Sequence, residues 1–252
     1  MPELEHPQSV SDLLKNKSLE TAGSLSSQVF SILKELIISL QLRPGQMISE
    51  KEVAEALKAS KTPVREAMIR LQGIGLVRVV PKSGTYVTPI QVNRYIEACF
   101  ARQQLEIGAV RRAAVQQNWN ANLQMESLIQ KQVQALKAGE DEVFFQLDEA
   151  LHKSFFEAAG VPGVSSLIRD SQAEVNRMRY LKRLHNIRRE DAIIEEHQAI
   201  VAAIRNGSPD DAEAAMIRHI GSLDQEVEQL ASHAGLLEFI EGLNSGRFKH
   251  RA

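Results

Sequence analysis

A chain of 252 residues with 43% hydrophobic side chains can bury substantial cores, and its formal charge of −2 argues against a uniformly basic nucleic-acid binder. One cysteine, Cys99, excludes an internal disulfide framework and fits a reducing compartment. No stretch of about eighteen apolar residues is present to span a membrane, and the opening MPELEHPQSVSDLLKNKS lacks a basic-then-apolar leader, so a soluble cytoplasmic protein is expected.

The charge is unevenly spread. From Lys51 to Lys82 there are seven basic residues against three acidic ones, whereas beyond residue 90 there are nineteen against twenty-three. A basic module thus precedes an acidic one.

In chain order, residues 1–24 carry Ser, Glu and Lys with sparse leucine and read as a flexible N-terminal tail. From Leu25 the apolar residues Val29, Ile32, Leu33, Leu36, Ile37 and Leu40 recur at helical spacing, and Arg43-Pro44-Gly45-Gln46 ends that helix in a turn. Ser49-Glu50-Lys51-Glu52 has the form of a capping box, opening a short second helix from about Glu50 to Lys58. A third helix starts with Ser60 or Thr62 as N-cap, keeps Pro63 in its first turn, and finishes at Gly73 and Gly75. Leu76–Val80 and Thr85–Thr88, separated by Pro81-Lys82-Ser83-Gly84, form a β-hairpin.

Beyond Pro89 every periodic segment is helical. The spacing predicts helices over 93–117, 120–138, 141–159, 164–185, 189–206 and 209–233, with a short turn of helix at LLEFIEGL. The fold class is therefore mainly α: a winged helix-turn-helix over 25–90, then an antiparallel bundle of six or seven helices over 91–236, then a C-terminal tail over 237–252.

A winged helix-turn-helix projects its third helix into a DNA major groove. Lys61 and Arg65, four residues apart, share a face that reaches bases or phosphates, and the orphan amides near Ser60 and Thr62 favour a phosphate. Val64, Ala67, Met68 and Leu71 form the opposite, packing face, while Lys82 and Gly84 suit the wing tip. Residues 25–89 resemble the GntR family of bacterial transcription regulators in Arg43-Pro44-Gly45, Ser49-Glu50-Lys51-Glu52-Val53-Ala54, Ser60–Ala67 and Gly75-Leu76-Val77. The resemblance implies DNA contact at Lys51, Ser60, Lys61, Thr62, Arg65 and Gly84. Family members usually carry arginine where this chain has Lys61, and lysine lacks the planar fork that pairs with guanine.

In the acidic module, His197 lies on the apolar stripe Ile193, Ile200, Val201, Ile204, and His219 on the stripe Ala212, Met216, Ile220, Leu223. His152 follows Asp148 by one helical turn, flanked by Phe144, Phe145, Leu151 and Phe155. Each group would need its own buried partner; one shared divalent cation satisfies all four, and their N/O donors suit Zn²⁺, Ni²⁺ or Mn²⁺. The module resembles the FCD domain of the FadR-type GntR branch in Arg102–Glu106, Asp148 with His152, His197 in EEHQAIVAAI and His219 in AAMIRHI. That resemblance implies that Asp148, His152, His197 and His219 hold a metal, that a small organic acid completes its coordination, and that Arg102 lies near this effector; the alternative for Arg102 is a surface ion pair with Glu106. Many members have asparagine where this chain has Val161. Arg177, Arg179 and Arg183 face an anionic ligand or are solvated, the reading favoured for most of them; His185 and His233 are read as structural or exposed.

The expected function is a non-enzymatic transcription regulator, a repressor, whose homodimer reads a palindromic operator and responds to the carboxylate. Two alternatives remain at this point. One is a metal-dependent hydrolase with an accessory DNA-binding module, though no carboxylate is spaced as a general base. The other is a direct metal sensor.

Overall fold

The computed structural model describes residues 8–185, 187, 190–221 and 223–246. His6 and His250 lie outside them. The helices are α1 (Val10–Leu14), α2 (Leu25–Ile38), α3 (Glu50–Ala56), α4 (Lys61–Gly73), α5 (Val92–Gln116), α6 (Trp119–Ala138), α7 (Asp141–Ala158), α8 (Ser165–Leu184), α9 (Glu190–Arg205), α10 (Pro209–Ile220), α11 (Leu223–Ser232) and α12 (Ala234–Asn244). The strands are β1 (Met47–Ile48), β2 (Val77–Val80) and β3 (Gly84–Val87). Two compact units result, one of Met1–Tyr95, Asp170–Ile187 and Leu230–Ala252, the other of Ile96–Arg169 and Arg188–Gln229.

The first unit is the expected winged helix-turn-helix with additions. Ser24 caps α2, and Ser60, in extended conformation, precedes α4 so that Pro63 falls at its third residue. The faces expected to pack do so: Val29, Leu33, Leu36 and Ile37 of α2 and Val64, Ala67, Met68 and Leu71 of α4 are buried in one cluster with Val53, Leu76 and Val87. The hairpin pairs Val77 with Val87 and Val80 with Gly84. A third strand, β1, pairs Met47 with Tyr86 and gives the order β1-β3-β2. Two residues cannot show a periodicity of their own, so this strand was not legible in the sequence.

The flexible-tail reading does not describe residues 8–24. Ser9 caps α1 by accepting from the Asp12 amide at 3.0 Å, and Val10 and Leu14, one turn apart, are buried in the cluster. The Ser11 amide and hydroxyl both donate to Glu52 Oε1 at 3.0 Å. This occupies the carboxylate assigned to the capping box, so of the two expected bonds only that from the Glu52 amide to Ser49 Oγ, 3.4 Å, is made. A five-residue helix is too short to stand alone; two apolar anchors and a carboxylate on α3 hold it.

The C-terminal tail reading is also corrected. Leu236, Phe239, Ile240 and Leu243 of α12 are buried, and Asn244 brackets Ile90: the Ile90 amide donates to Asn244 Oδ1 and Asn244 Nδ2 donates to the Ile90 carbonyl, both at 2.8 Å. Arg177, on the part of α8 belonging to this unit, is fully buried rather than solvated or turned to a ligand. It donates to the Thr88 carbonyl at 2.9 Å and to Glu174 Oε1 at 3.2 Å. Burial lowers the Arg177 pKa and raises that of Glu174, and the pair offset each other's desolvation. Ala173 of α8 completes the core under the winged helix. The segment joining residue 87 to α5 is thus gripped by side chains encoded some ninety and more than 150 positions later.

The second unit is the helical bundle. Asn118 caps α6, Pro209 opens α10, and α6 packs on α7 and α9 while α9 packs on α10. Val110, Met125, Phe144, Leu151, Phe155, Ile200, Ile204 and Met216 are among its core residues. The helix expected over 209–233 is two helices: Gly221, at φ +80°, adopts a backbone that a side chain disfavours, and α10 ends there.

Candidate functional site

The four residues singled out by spacing meet inside the second unit. α7 supplies Asp148 and, one turn on, His152; α9 supplies His197 and α10 supplies His219. All four are buried, and one ligand atom from each lies within 4.8 Å of the others. His152 Nε2 and His219 Nε2 are 3.1 Å apart, and Asp148 Oδ1 is 3.5 Å from His197 Nε2 and 3.8 Å from His152 Nε2.

The outward nitrogens decide the chemistry. His152 Nδ1 lies 2.6 Å from Glu106 Oε2, His197 Nδ1 lies 3.0 Å from Gln132 Oε1, and His219 Nδ1 lies 2.9 Å from Glu196 Oε2. These three oxygens are acceptors, and at His152 Nδ1, which Arg102 also approaches to 3.3 Å, the 2.6 Å contact with Glu106 is the shorter, so the hydrogen-bond network assigns the proton of each neutral imidazole to Nδ1. Every Nε2 then presents a lone pair to the interior, beside a carboxylate. Three lone pairs and an anion facing one another repel unless a cation sits among them. This is also the arrangement in which outer acceptors fix the tautomer and raise the basicity of metal-ligating histidines. Four donors that all lie within 4.8 Å of one another are close enough to share one such ion. Three nitrogens and one oxygen without sulfur suit Zn²⁺, Ni²⁺ or Mn²⁺.

Glu106, Gln132 and Glu196 were not identified from the sequence. Glu106 follows Arg102 by four residues, which reads as an exposed helical ion pair. The ion pair exists, with Arg102 Nε 2.8 Å from Glu106 Oε1, but both residues are buried, Glu106 completely. Burial alone would push the carboxyl upward; Arg102 and His152 overcome it and hold Glu106 well below the usual carboxylate range. Burial likewise opposes the Arg102 cation, and Glu106, aided by Asp148, outweighs it and raises the Arg102 pKa. A second nitrogen of Arg102 stands 3.3 Å from His152 Nδ1, so the cation lies directly behind one of the four ligands. The His219 pKa is lowered, chiefly by burial, against the upward pull of its hydrogen bond to Glu196. Val161, in the loop before α8, packs on the bundle core, and His185 meets Phe239 edge-on with ring centroids 5.1 Å apart.

The residues expected to face DNA belong to the first unit. Ser60, Lys61, Thr62 and Arg65 at the start of α4, and Lys51 on α3, are exposed. Arg65 is 3.3 Å from Glu50 Oε2, which the sequence reading missed, and Lys51 is 3.7 Å from Glu55. Lys82 marks the wing tip in a left-handed conformation, φ +60°. At Gly84, φ +141°, an added Cβ would stand 3.2 Å from Met47 Sδ, so the pairing with β1 itself calls for glycine.

Comparison with known proteins agrees with both halves. The family described as "Bacterial regulatory proteins, gntR family" matches residues 25–87, and the "FCD domain" matches residues 97–222. The chain is 30% identical over 212 residues to the "HTH-type transcriptional repressor RspR" of Escherichia coli K12, covering 84% of this chain and 92% of that protein. It is 29% identical over 203 residues to a "Probable D-xylose utilization operon transcriptional repressor" of Paenarthrobacter nicotinovorans, covering 80% and 88% respectively. Among solved structures, E. coli McbR/YncC aligns with a TM-score of 0.66 at 23% identity, over 84% of this chain and 99% of that one, a likeness of fold.

Proposed function

Because the chain belongs to the GntR family of bacterial regulatory proteins and carries an FCD domain, we propose that its hold on operator DNA is controlled by a small carboxylate at a divalent metal held by Asp148, His152, His197 and His219. That it is a DNA-binding transcription regulator follows from the family; the control is the proposal. The observation carrying it is that every cluster imidazole has its Nδ1 engaged from outside, leaving three Nε2 lone pairs and the Asp148 carboxylate turned on one another.

When bound, the ion supplies positive charge and a coordination position for a carboxylate oxygen. The chain's own residues do the rest. Glu106, Gln132 and Glu196 hold the imidazoles in the donating tautomer, and Arg102 adds a second positive charge for an anionic effector. In this reading Ser60, Lys61, Thr62 and Arg65 meet the groove, Lys51 and Lys82 the phosphate backbone, and Gly84 lets the wing approach the sugar-phosphate edge. A homodimer reading a palindrome, and repression relieved by effector in the cytoplasm, complete the reading.

Protein stripped with a chelator and titrated with Zn²⁺, Ni²⁺ or Mn²⁺ is expected to take up one ion per chain, with a rise in Tm equivalent to about 2.7 kcal/mol at one hundred times Kd. Operator affinity is then measured at one fixed salt concentration with a panel of small carboxylates. The same affinity with and without every carboxylate would remove the proposed control and leave the family assignment standing.

The DNA surface is tested separately. Arg65→Ala is expected to weaken binding to a site selected by the wild type by about 1–3 kcal/mol and to relax the preference at one base pair. Lys82→Ala is expected to weaken binding to all sequences alike and to reduce the salt dependence by about one phosphate contact. Mobility shifts over a salt series read both.

A further inference from the structure

Most of the outward surface of α4 is polar, with one exception at its centre. Ile69 is 61% exposed, the most exposed of the large apolar side chains described in the first unit. It follows Thr62 by seven residues, just under two full turns, and Arg65 by four, so it stands in line with both and opposite the buried stripe of Val64, Ala67, Met68 and Leu71. Its flanking residues Arg65, Glu66, Arg70 and Gln72 are all exposed and polar or charged. A protein-docking surface needs a contiguous apolar patch of several hundred square ångströms; a single β-branched side chain ringed by polar groups does not provide one.

It does fit a single methyl group. The C5 methyl of thymine is the one apolar feature that a base pair shows in the major groove, and apolar side chains read it. We propose that Ile69 is a specificity-determining residue of this regulator, packing against the methyl of a thymine close to the base pair that Arg65 contacts. The proposal rests on the reading that the Thr62–Arg65 face of α4 meets DNA. Ile69 lies about 6 Å further along the helix axis than Arg65, within the roughly 12 Å width of the groove. A β-branched side chain has few rotamers to lose on contact, so it selects by shape where Arg65 selects by hydrogen bonds.

The test uses the full-length chain and double-stranded DNA selected from a random library. Wild type is expected to enrich a motif with a thymine within a few base pairs of the position whose preference Arg65→Ala relaxes. Replacing that thymine by uracil, which removes the methyl alone, is expected to weaken wild-type binding about three- to fivefold. Ile69→Ser, an exposed substitution whose folding is checked by its melting curve, is expected to lose the thymine preference and to bind the thymine and uracil sites equally. If uracil at every thymine of the motif leaves wild type and Ile69→Ser equally unaffected, the assignment of Ile69 is wrong. If Arg65→Ala leaves the selected motif unchanged as well, the whole α4 face is wrongly assigned, which separates the two failures.

Discussion

Replacing Glu106 by alanine is expected to destabilise the helical unit by about 3–5 kcal/mol, because it leaves the buried Arg102 cation without its carboxylate. The same change removes the acceptor from His152 Nδ1 and is expected to weaken metal binding about 10- to 100-fold. The two effects separate in the double variant Glu106→Ala/Arg102→Met. Removing the stranded cation is expected to recover most of the stability, read by urea unfolding, whereas the metal affinity, read by calorimetric titration, is expected to stay low. Recovery of both, or of neither, would mean that Glu106 is not the shared partner of the two groups.

Arg177→Ala is expected to destabilise the first unit by a similar 3–5 kcal/mol, since it strands the Glu174 carboxyl and removes a donor from the Thr88 carbonyl. Its pH dependence has a definite sign. Burial already raises the Glu174 pKa, and Arg177 pulls it down, so without Arg177 it rises further. A carboxyl whose folded pKa lies above its unfolded value costs most above the folded pKa, and the cost disappears as pH falls towards the unfolded value. The stability gap between wild type and Arg177→Ala is therefore expected to narrow from pH 8 to pH 5 in denaturant titrations. A gap that widens on acidification would contradict this account of the pair.

Much of this architecture was legible in the residues, and the failures have a common form. Periodicity located nearly every bundle helix to within two residues because each buries one stripe, and the spacing of Asp148 and His152 put both on one face. The same reasoning could place four ligand candidates in a bundle interior but could not find Glu106, Gln132 and Glu196, whose roles exist only across helices. Arg102 and Glu106 alone give the pattern of an exposed pair; their burial is a property of the neighbours. The N-terminal tail was misjudged for a related reason, since Val10 and Leu14 cannot stabilise a helix of their own yet fit an opening in another element's core. The sequence offered Arg177 only an anionic ligand or solvent because its surroundings on α8 are basic, while its partners at Thr88 and Pro89 lie far back in the sequence.

Asn244 is among the last residues described, yet it brackets Ile90. The first unit is therefore assembled from segments more than 150 positions apart in the sequence. Synthesis through β3 yields the winged-helix elements but not α12, whose Asn244 holds Ile90. Chains that lack α12 are expected to be poor competitors for the operator.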